Sequence, residues 1–328
     1  MSTTTQGVGQ NRAAARRPLK VGLMLPQTDG MRGPGTRRWR ELAPMARLAE
    51  DVGFDSLWVV DHFLYLLEGE ASARGCWESW TLLSALAATT ARVELGTLVL
   101  GMGFRNPALL AKMAETLDEV SGGRLILGVG SGYHQHEYRA FGYPHDHRIS
   151  RFEESIQILH ALLKHGQVDF EGQYYSARDC ELKPRGPRVD GPPILIGGIS
   201  PRMLGIIARY ADQWNVYYDD TTNDIAGART YMDRVDAACQ ATGRDPATLA
   251  RTVTVLIADP NADPWWTRLP TGRDMKVIRP LTGDTQAIAE ELRGYARLGV
   301  SHIQISLEPT TLATIENLAR VLEVLERS

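Results

Sequence analysis

Cysteine is scarce in this sequence. Only Cys76, Cys180 and Cys239 occur among 328 residues, and no two of them have a CxxC spacing. A disulfide framework or a cysteine-ligated zinc site needs cysteines in pairs or clusters, so the sequence disfavours both. Unpaired cysteines are typical of a reducing compartment, and we therefore expect a cytoplasmic protein.

Long apolar runs and an excess of either charge are also missing. No segment approaches the roughly 18 consecutive apolar residues that a membrane-spanning helix needs. The 36 lysines and arginines nearly balance the 39 aspartates and glutamates, which gives a formal net charge of -3. This balance predicts no nucleic-acid partner and no attachment to a membrane surface.

The N-terminal segment lacks the pattern of a folded element. Residues 1–17 are rich in Ser, Thr, Gln and Gly and then in Arg, without the apolar stretch of a secretory signal. We predict a disordered tail over residues 1–18. An organelle transit peptide shares the arginine-rich, acid-poor composition, but no amphipathic pattern accompanies it here.

The sequence does contain a regular alternation of short apolar runs and longer amphipathic stretches. The runs predict eight strands, at 19–25, 56–60, 93–99, 125–130, 193–197, 213–217, 252–258 and 302–307. Apolar residues three and four apart predict helices near 37–52, 77–90, 107–120, 149–164, 201–211, 225–242, 285–298 and 311–327. This order predicts an α/β fold, a (β/α)8 TIM barrel with insertions, as a single domain over 19–328.

A doubly wound open sheet is the structural alternative. Its first strand usually leads into a glycine-rich turn, whereas here the first strand ends in Pro26-Gln27. Two segments are longer than ordinary loops. Residues 166–190 predict a small hairpin, and residues 259–283, with Trp265 and Trp266, predict a lid.

Reactive side chains follow the second predicted strand, at the end of a barrel where ligands bind. His62 can donate to a ligand or move a proton near neutral pH, which makes it a candidate acid/base. Asp61 either lines the ligand or caps the loop, as short polar side chains often do.

Glycines follow the fourth and fifth predicted strands. The segment GSGY at 130–133 does not fit GxGxxG, but its small residues let a ligand approach the backbone. The segment GGI at 197–199 precedes Ser200 and Pro201, which are typical of a helix start. Exposed N–H groups there predict a phosphate site, with a plain capped helix as the alternative. Arg202 either adds charge to that site or faces solvent.

Four histidines lie close together in the sequence, at 134, 136, 145 and 147. The carboxylates that could join them, Glu137 and Asp146, fall on a predicted loop, and no HExxH spacing occurs. We therefore predict no metal site and expect these histidines to face solvent or substrate.

Several segments together resemble the luciferase-like monooxygenase superfamily. The matching segments are VGLMLPQ (21–27), LAEDVGFDSLWVVDHF (48–63), ESWTLLSALAATTARVELGTLVLG (78–101), RNPALLAKMAETLDEVSGGRLILGVGSGYHQHEYRAFG (105–142), RFEESIQILHALL (151–163) and ILIGGISPRMLGIIARYADQWN (194–215). They cover most of residues 20–215, while 216–328 agrees in architecture alone. The resemblance implies a TIM barrel, often a homodimer, that uses FMN or coenzyme F420, and it is strongest to the short F420-dependent branch.

The resemblance also assigns residues. Position by position, it implies that Asp61 and His62 line the cofactor ring, and that a cis non-prolyl peptide joins Thr97 to Leu98. The cofactor-binding residues that it implies are Asp61, Thr97, Leu98, Gly130, Ser131, Gly132, Gly197, Gly198 and Ile199. Tyr133 stands where the F420-dependent sugar-phosphate dehydrogenases carry a catalytic Glu, and Leu66 where they carry a Trp, so we expect a different substrate.

These features lead to one expected function and two alternatives. We expect hydride transfer between F420 and a small organic substrate, with His62 as the acid/base and Tyr133 as the alternate proton donor. The first alternative is an FMN-dependent monooxygenase that uses O2 and reduced flavin from a partner reductase. The second is a non-catalytic cofactor-binding or carrier protein.

Overall fold

A computed structural model describes residues 17–29, 36–66, 70–262 and 278–327. Eight parallel strands form a closed barrel, in which β10 pairs with β7 and β13 pairs with β1. The barrel strands are β1 (Lys20–Met24), β2 (Ser56–Val59), β5 (Glu94–Thr97), β7 (Leu125–Gly130), β10 (Ile194–Gly197), β11 (Gln213–Val216), β12 (Ala250–Ala258) and β13 (His302–Glu308). The predicted TIM barrel is therefore confirmed.

Helices join the barrel strands and surround them. They are α1 (Trp39–Asp51), α2 (Ser79–Thr89), α3 (Pro107–Ser121), α4 (Gln135–Phe141), α5 (Arg148–His165), α6 (Pro201–Tyr210), α7 (Tyr218–Thr221), α8 (Ile225–Ala241), α9 (Thr285–Arg297) and α10 (Leu312–Glu326). No helix in the described ranges is long and apolar enough to cross a bilayer.

Three short insertions add strands outside the eight. They are the hairpin of β3 (Leu64–Tyr65) with β4 (Arg74–Gly75), strand β6 (Leu100–Gly101) beside β7, and the hairpin of β8 (Gln167–Glu171) with β9 (Ser176–Glu181). The last confirms the hairpin predicted over 166–190. The predicted lid over 259–283 falls mostly on 263–277, which lie outside the described residues.

Burial separates the barrel strands from the hairpins. All six residues of β7 are buried, because one face of the strand meets the barrel interior and the other meets helices. In β8, exposed and half-buried residues alternate, as expected of a ribbon with one face in water. The apolar runs of the sequence therefore mark barrel strands.

Capping residues fix where the helices begin and end. Asn106 accepts hydrogen bonds from the N–H groups of Ala108 and Leu109, Pro107 is the first residue of α3, and Gly122 ends the helix with φ of 68°. Ser200 caps α6 in the same way, by accepting from Met203 N–H. The helix start predicted at Ser200 and Pro201 is thus present.

The chain enters the barrel at the side opposite the ligand end. Arg17 donates to the Gly53 carbonyl at 2.7 Å and pairs with Asp55 at 2.8 Å. The disordered tail predicted over 1–18 falls on residues 1–16, which lie outside the described residues.

Inside the barrel, an apolar layer lies beneath the C-terminal strand ends. It consists of Met24, Trp58, Leu98, Ile126 and Leu195, all nearly or fully buried. The indole of Trp58 lies over Gly22 and Gly96, where a Cβ atom would come within 2.2 to 2.5 Å of neighbouring side-chain atoms. This layer forms the floor of the candidate site.

Candidate functional site

A cleft of about 620 Å³ opens at the C-terminal ends of the barrel strands. Residues that follow β1, β2, β7, β10, β11 and β13 line it, so the chain brings its strand ends together as a barrel should. The predicted site residues that line the cleft are Asp61, His62, Leu98, Gly130, Ser131, Gly132, Tyr133, Gly197, Gly198 and Ile199. Their roles remain predictions.

Thr97 is the predicted cofactor residue that does not line this cleft. It is fully buried as the last residue of β5, and its hydroxyl donates to the Gly128 carbonyl at 2.7 Å. The side chain therefore ties β5 to β7 beneath the floor.

The predicted position of the cis peptide was wrong by one residue. The cis bond joins Leu98 to Val99, not Thr97 to Leu98. Thr97 still pairs with Val59 in the parallel ladder, and Leu98 N–H still donates to the Val59 carbonyl at 2.8 Å. The regular hydrogen bonding of β5 to β2 thus continues through the Leu98 amide, and the cis bond follows directly after it.

Backbone N–H groups collect at one end of the cleft. In the described part of the chain, the N–H groups of Ser131, Gly132, Gly198 and Ile199 have no protein acceptor. Gly132 has φ of 68°, and a Cβ atom there would lie 2.0 Å from the Tyr138 hydroxyl. Only glycine fits such a position, which leaves a concave surface of donors suited to an anion.

Arg148 supplies positive charge at this end, a role that the sequence analysis missed. Its guanidinium lines the cleft and donates to the Gly132 carbonyl. Arg202, the cation considered from sequence, instead pairs with Glu153 at 2.8 Å and does not line the cleft. The sequence offers only a weak signal for Arg148, as the first residue of a helix after a loop.

Trp214 fixes the turn between β10 and α6. Its side chain is fully buried, and its Nε1–H donates to the Gly198 carbonyl at 2.9 Å. Gly198 has φ of 152°, a conformation that favours glycine, and Met203 atoms lie 3.2 to 3.4 Å from where its Cβ would be. The indole therefore directs the Gly198 carbonyl away from the cleft and holds the neighbouring amides in place.

At the other end, His62 is paired with Glu137. The Nδ1 atom of His62 lies 2.9 Å from Glu137 Oε1, and Phe63 N–H donates to Glu137 Oε2 at 3.0 Å. Glu137 is only 1% exposed and lies on α4, not on a loop as expected from sequence. Burial alone would raise the pKa of Glu137, but the neighbouring imidazoles of His134 and His62 and a hydrogen bond from Phe63 N–H lower this pKa to about 2. The buried carboxylate is therefore charged and orients the imidazole.

A second histidine approaches the same carboxylate. The Nδ1 atom of His134 lies 3.6 Å from Glu137 Oε1, and among the described residues this buried nitrogen has no hydrogen-bond partner. One ligand atom from each of His62, His134 and Glu137 lies within 4.8 Å of the other two. Sequence analysis did not foresee this cluster, because it placed Glu137 outside a helix.

Asp61 makes its hydrogen bonds to the protein itself. Its carboxylate accepts from Ser79 Oγ at 2.6 Å, from Gly101 N–H at 2.9 Å and from both terminal nitrogens of Arg105 at 2.7 and 3.0 Å. The loop-capping role considered for Asp61 is thus present. A contact with the cofactor stays a prediction.

Tyrosines surround the imidazole of His62. Tyr133 is 57% exposed at the cleft, and its hydroxyl donates to the Tyr65 hydroxyl at 3.2 Å. The two rings lie 5.7 and 4.9 Å from the His62 ring, centroid to centroid. Burial raises the pKa of Tyr65 above its usual value near 10, so this hydroxyl stays protonated and can donate.

This barrel and cleft agree with a family match. The luciferase-like monooxygenase family matches residues 19–271, about three quarters of the chain, and the protein belongs to that family. Known members include F420-dependent and FMN-dependent enzymes, as the relatives below illustrate.

Two curated relatives represent different branches. An F420-dependent glucose-6-phosphate dehydrogenase of Amycolatopsis mediterranei is 38% identical over 181 residues, which is 52% of this chain and 50% of the relative. The pyrimidine monooxygenase RutA of Enterobacter cloacae is 32% identical over 222 residues, 64% of this chain and 58% of the relative. The chain thus spans between half and three fifths of the length of these relatives.

Solved structures agree in fold. An F420-dependent secondary alcohol dehydrogenase in complex with an F420-acetone adduct has a TM-score of 0.75 at 20% identity, covering 94% of this chain and 99% of that one. A riboflavin lyase, RcaE, with modified FMN and riboflavin has a TM-score of 0.76 at 16% identity, covering 94% of this chain and 91% of that one. At these identities the likeness shows the shared barrel and does not distinguish the cofactors.

Proposed function

We propose that this protein is an oxidoreductase that transfers a hydride between coenzyme F420 and a small organic substrate. The observation that carries the proposal is the division of one cleft into two ends. One end presents unpartnered backbone N–H groups and Arg148, and the other presents the His62–Glu137 pair above an apolar floor. A cofactor with an anionic tail and a flat redox ring needs both environments.

The residues present fit such a cofactor. The N–H groups of Ser131, Gly132, Gly198 and Ile199 would hold the phosphate, with Arg148 balancing its charge. Leu98, Val99 and Met24, which line the cleft from below, would contact the ring face. Gly130 and Gly197 also line the cleft, and a Cβ atom at Gly130 would lie 2.7 Å from a methyl carbon of Val99.

F420, when bound, supplies a ring carbon that carries the hydride. The protein's part is to position the reactants, exclude water and handle the proton. His62 donates to or accepts from the substrate oxygen, and the charged Glu137 stabilises the imidazolium formed when His62 takes up a proton. Tyr133, within reach of the same space, is the alternate donor.

The 38% identity to an F420-dependent relative favours F420. Because Tyr133 and Leu66 replace the Glu and Trp expected of sugar-phosphate dehydrogenases, the proposed substrate is not a sugar phosphate. We also propose that the protein acts as a homodimer, which light scattering would test directly.

The second candidate is an FMN-dependent monooxygenase. It is favoured by the match to RutA, which extends over more of this chain than the match to the F420-dependent relative. This candidate would need a partner reductase to supply reduced flavin. The same N–H groups would hold the FMN phosphate, so the cleft geometry suits both cofactors.

Cofactor titration tests the proposal. The full chain is titrated separately with F420 and with FMN, and binding is followed by fluorescence. Micromolar binding of F420, with weak or no binding of FMN, is the expected result. Tight binding of FMN without binding of F420 would establish the second candidate instead, and binding of neither would overturn both.

Substitution of His62 tests its role. In His62→Asn, the proposal expects kcat to fall about 100-fold or more, with the F420 dissociation constant changed by much less. A variant that keeps kcat and loses only cofactor affinity would remove His62 from the proton-transfer step. A carrier protein would bind F420 and show no turnover with any reductant or oxidant tried.

A further inference from the structure

We propose that His62, His134 and Glu137 form a binding site for a divalent transition metal, specifically Zn²⁺. The sequence alone predicts no metal site, because these residues have no familiar spacing and Glu137 falls on a predicted loop. The structure instead brings them together at one end of the cleft, with ligand atoms all within 4.8 Å of one another.

The distances suit zinc ligation. Tetrahedral zinc with bonds of about 2.0–2.1 Å places neighbouring ligand atoms roughly 3.3 Å apart. Glu137 Oε1 lies 2.9 Å from His62 Nδ1 and 3.6 Å from His134 Nδ1, on either side of that value. Shifts of a few tenths of an ångström would bring both of these pairs to the tetrahedral spacing.

The second nitrogen of His134 is already engaged by the backbone. His134 Nε2 lies 3.3 Å from the Leu66 carbonyl oxygen and 3.4 Å from Leu66 N. When Nε2–H donates to that carbonyl, Nδ1 carries a lone pair that faces the carboxylate of Glu137. In this tautomer Nδ1 offers its lone pair to a metal ion beside the Glu137 carboxylate, and among the described residues Nδ1 has no hydrogen-bond partner of its own.

The surroundings resemble the outer shell of a metal site. Phe63 N–H donates to the other oxygen of Glu137 at 3.0 Å, which fixes the carboxylate, and the ring of Tyr65 stacks on His134 at 5.2 Å. Such partners orient ligands before the metal arrives. Two imidazoles and one carboxylate favour zinc over Mg²⁺ or Ca²⁺, which prefer sets of oxygen ligands.

The site is open on one side. His62 and Glu137 line the cleft, so water or a ligand group can supply the fourth position. Zinc on His62 Nδ1 would leave the proton on Nε2 and prevent this imidazole from accepting another. Binding of the metal itself does not depend on F420 or FMN, and it is measured on the cofactor-free protein, so the proposed function and this site fail separately.

The test is zinc binding to the full chain after treatment with a chelator and removal of that chelator. Isothermal titration calorimetry with ZnCl2 is expected to give one ion per chain with micromolar or tighter affinity. Replacement of zinc by Co²⁺ is expected to give visible absorption bands of a four-coordinate ion. No binding at this stoichiometry would overturn the proposal.

Variants assign the ligands. His134→Ala removes one ligand and is expected to weaken zinc binding at least about 100-fold, beyond the 10- to 100-fold typical of outer-shell changes. His136→Ala is the matched control, because His136 lies two residues after His134 and outside the cluster. The zinc affinity of this variant is expected to equal that of the parent protein. Equal affinities of His134→Ala and the parent protein would overturn the assignment.

Glu137→Gln gives a second, independent variant of similar shape. Circular dichroism and thermal unfolding show whether each variant folds, since Glu137 also holds the Phe63 amide. Loss of zinc binding in folded Glu137→Gln is the expected outcome, and retention would overturn the site. If Glu137→Gln does not fold, the pair of His134→Ala and His136→Ala decides.

Discussion

The carboxylate of Asp61 has no exposed surface and is shared between Ser79, Gly101 and Arg105. Removing it in Asp61→Ala would leave the Arg105 guanidinium largely buried, with Glu78 as its one charged partner among the described residues. Breaking a buried pair from one side costs about 3–5 kcal/mol, and we expect a loss near 3 kcal/mol because Glu78 remains. Urea unfolding measures the free energy of unfolding.

Glu78→Gln is the comparison for Asp61→Ala. Glu78 is half-exposed, caps α2 and also contacts Arg105, so we expect its substitution to cost about 1 kcal/mol. Equal losses in the two variants would contradict a mainly structural role for Asp61.

Two arginines near the anion-binding end, Arg148 and Arg202, differ in what their side chains contact. Arg148 lines the cleft, whereas Arg202 is half-exposed and pairs with Glu153. A charge-assisted contact to phosphate contributes about 1.5–3 kcal/mol, so Arg148→Gln is expected to weaken cofactor binding roughly 10- to 100-fold. Arg202→Gln is expected to leave the dissociation constant unchanged. Fluorescence titration of both variants checks this, and equal effects would place the phosphate elsewhere.

At the scale of elements, Trp214 links strand β11 to the turn between β10 and α6. Trp214→Phe keeps an aromatic ring in the core and removes the hydrogen bond to the Gly198 carbonyl. We expect a loss of about 1 kcal/mol in the free energy of unfolding, together with weaker binding of the cofactor phosphate.

Trp80→Phe provides the control, because Trp80 is also buried in the core but lies on α2, away from this turn. We expect it to lower stability without changing the cofactor dissociation constant. Thermal unfolding and fluorescence titration of the two variants separate the effects. Unchanged cofactor affinity in Trp214→Phe would mean that the turn holds its shape without the indole.

Elements with strong local patterns could be predicted from sequence, and those without could not. Buried strands and amphipathic helices have regularly spaced apolar residues, and this spacing can be recognised in a single sequence. Helix α4 has seven residues and begins among polar side chains, so its only clear marker is Gly142 at its end. Glu137 therefore went unrecognised, since its role depends on contact with His62 from a distant segment. The cis bond at Leu98–Val99 was misplaced by one residue, because ladder pairing decides where the strand ends.

For the whole molecule, the barrel encloses a second, polar layer below the apolar floor. His302 on β13 shares a 2.8 Å hydrogen bond with Ser56 on β2, and Trp58 Nε1–H donates to the same hydroxyl at 2.7 Å. Asn215 on β11 donates to Thr252 on β12 at 2.8 Å and to Gln304 on β13 at 2.9 Å. These side-chain hydrogen bonds thus join strands that are not neighbours in the barrel, β2 to β13 and β11 to β13.

His302 makes the stability of the closed barrel depend on pH. Burial, with a smaller contribution from the charge of Lys20, lowers the pKa of His302 from 6.5 to about 3. Between these two values the unfolded chain binds a proton that the folded chain does not, so acidification favours unfolding. Stability from this residue is complete above about pH 6.5 and declines as the pH falls toward 3, by at most roughly 1.4 kcal/mol per pH unit.

A His302→Gln variant isolates this effect from the carboxylates that also titrate in acid. At pH 7.5 the variant is expected to be less stable than the parent protein, because the contact with Ser56 is altered. The gap should narrow as the pH falls from 7 to 5, since only the parent loses stability through position 302. Urea unfolding at several pH values measures the gap, with His147→Gln as a control at an exposed histidine. A gap that stays constant over this range would show that His302 does not remain neutral inside the barrel.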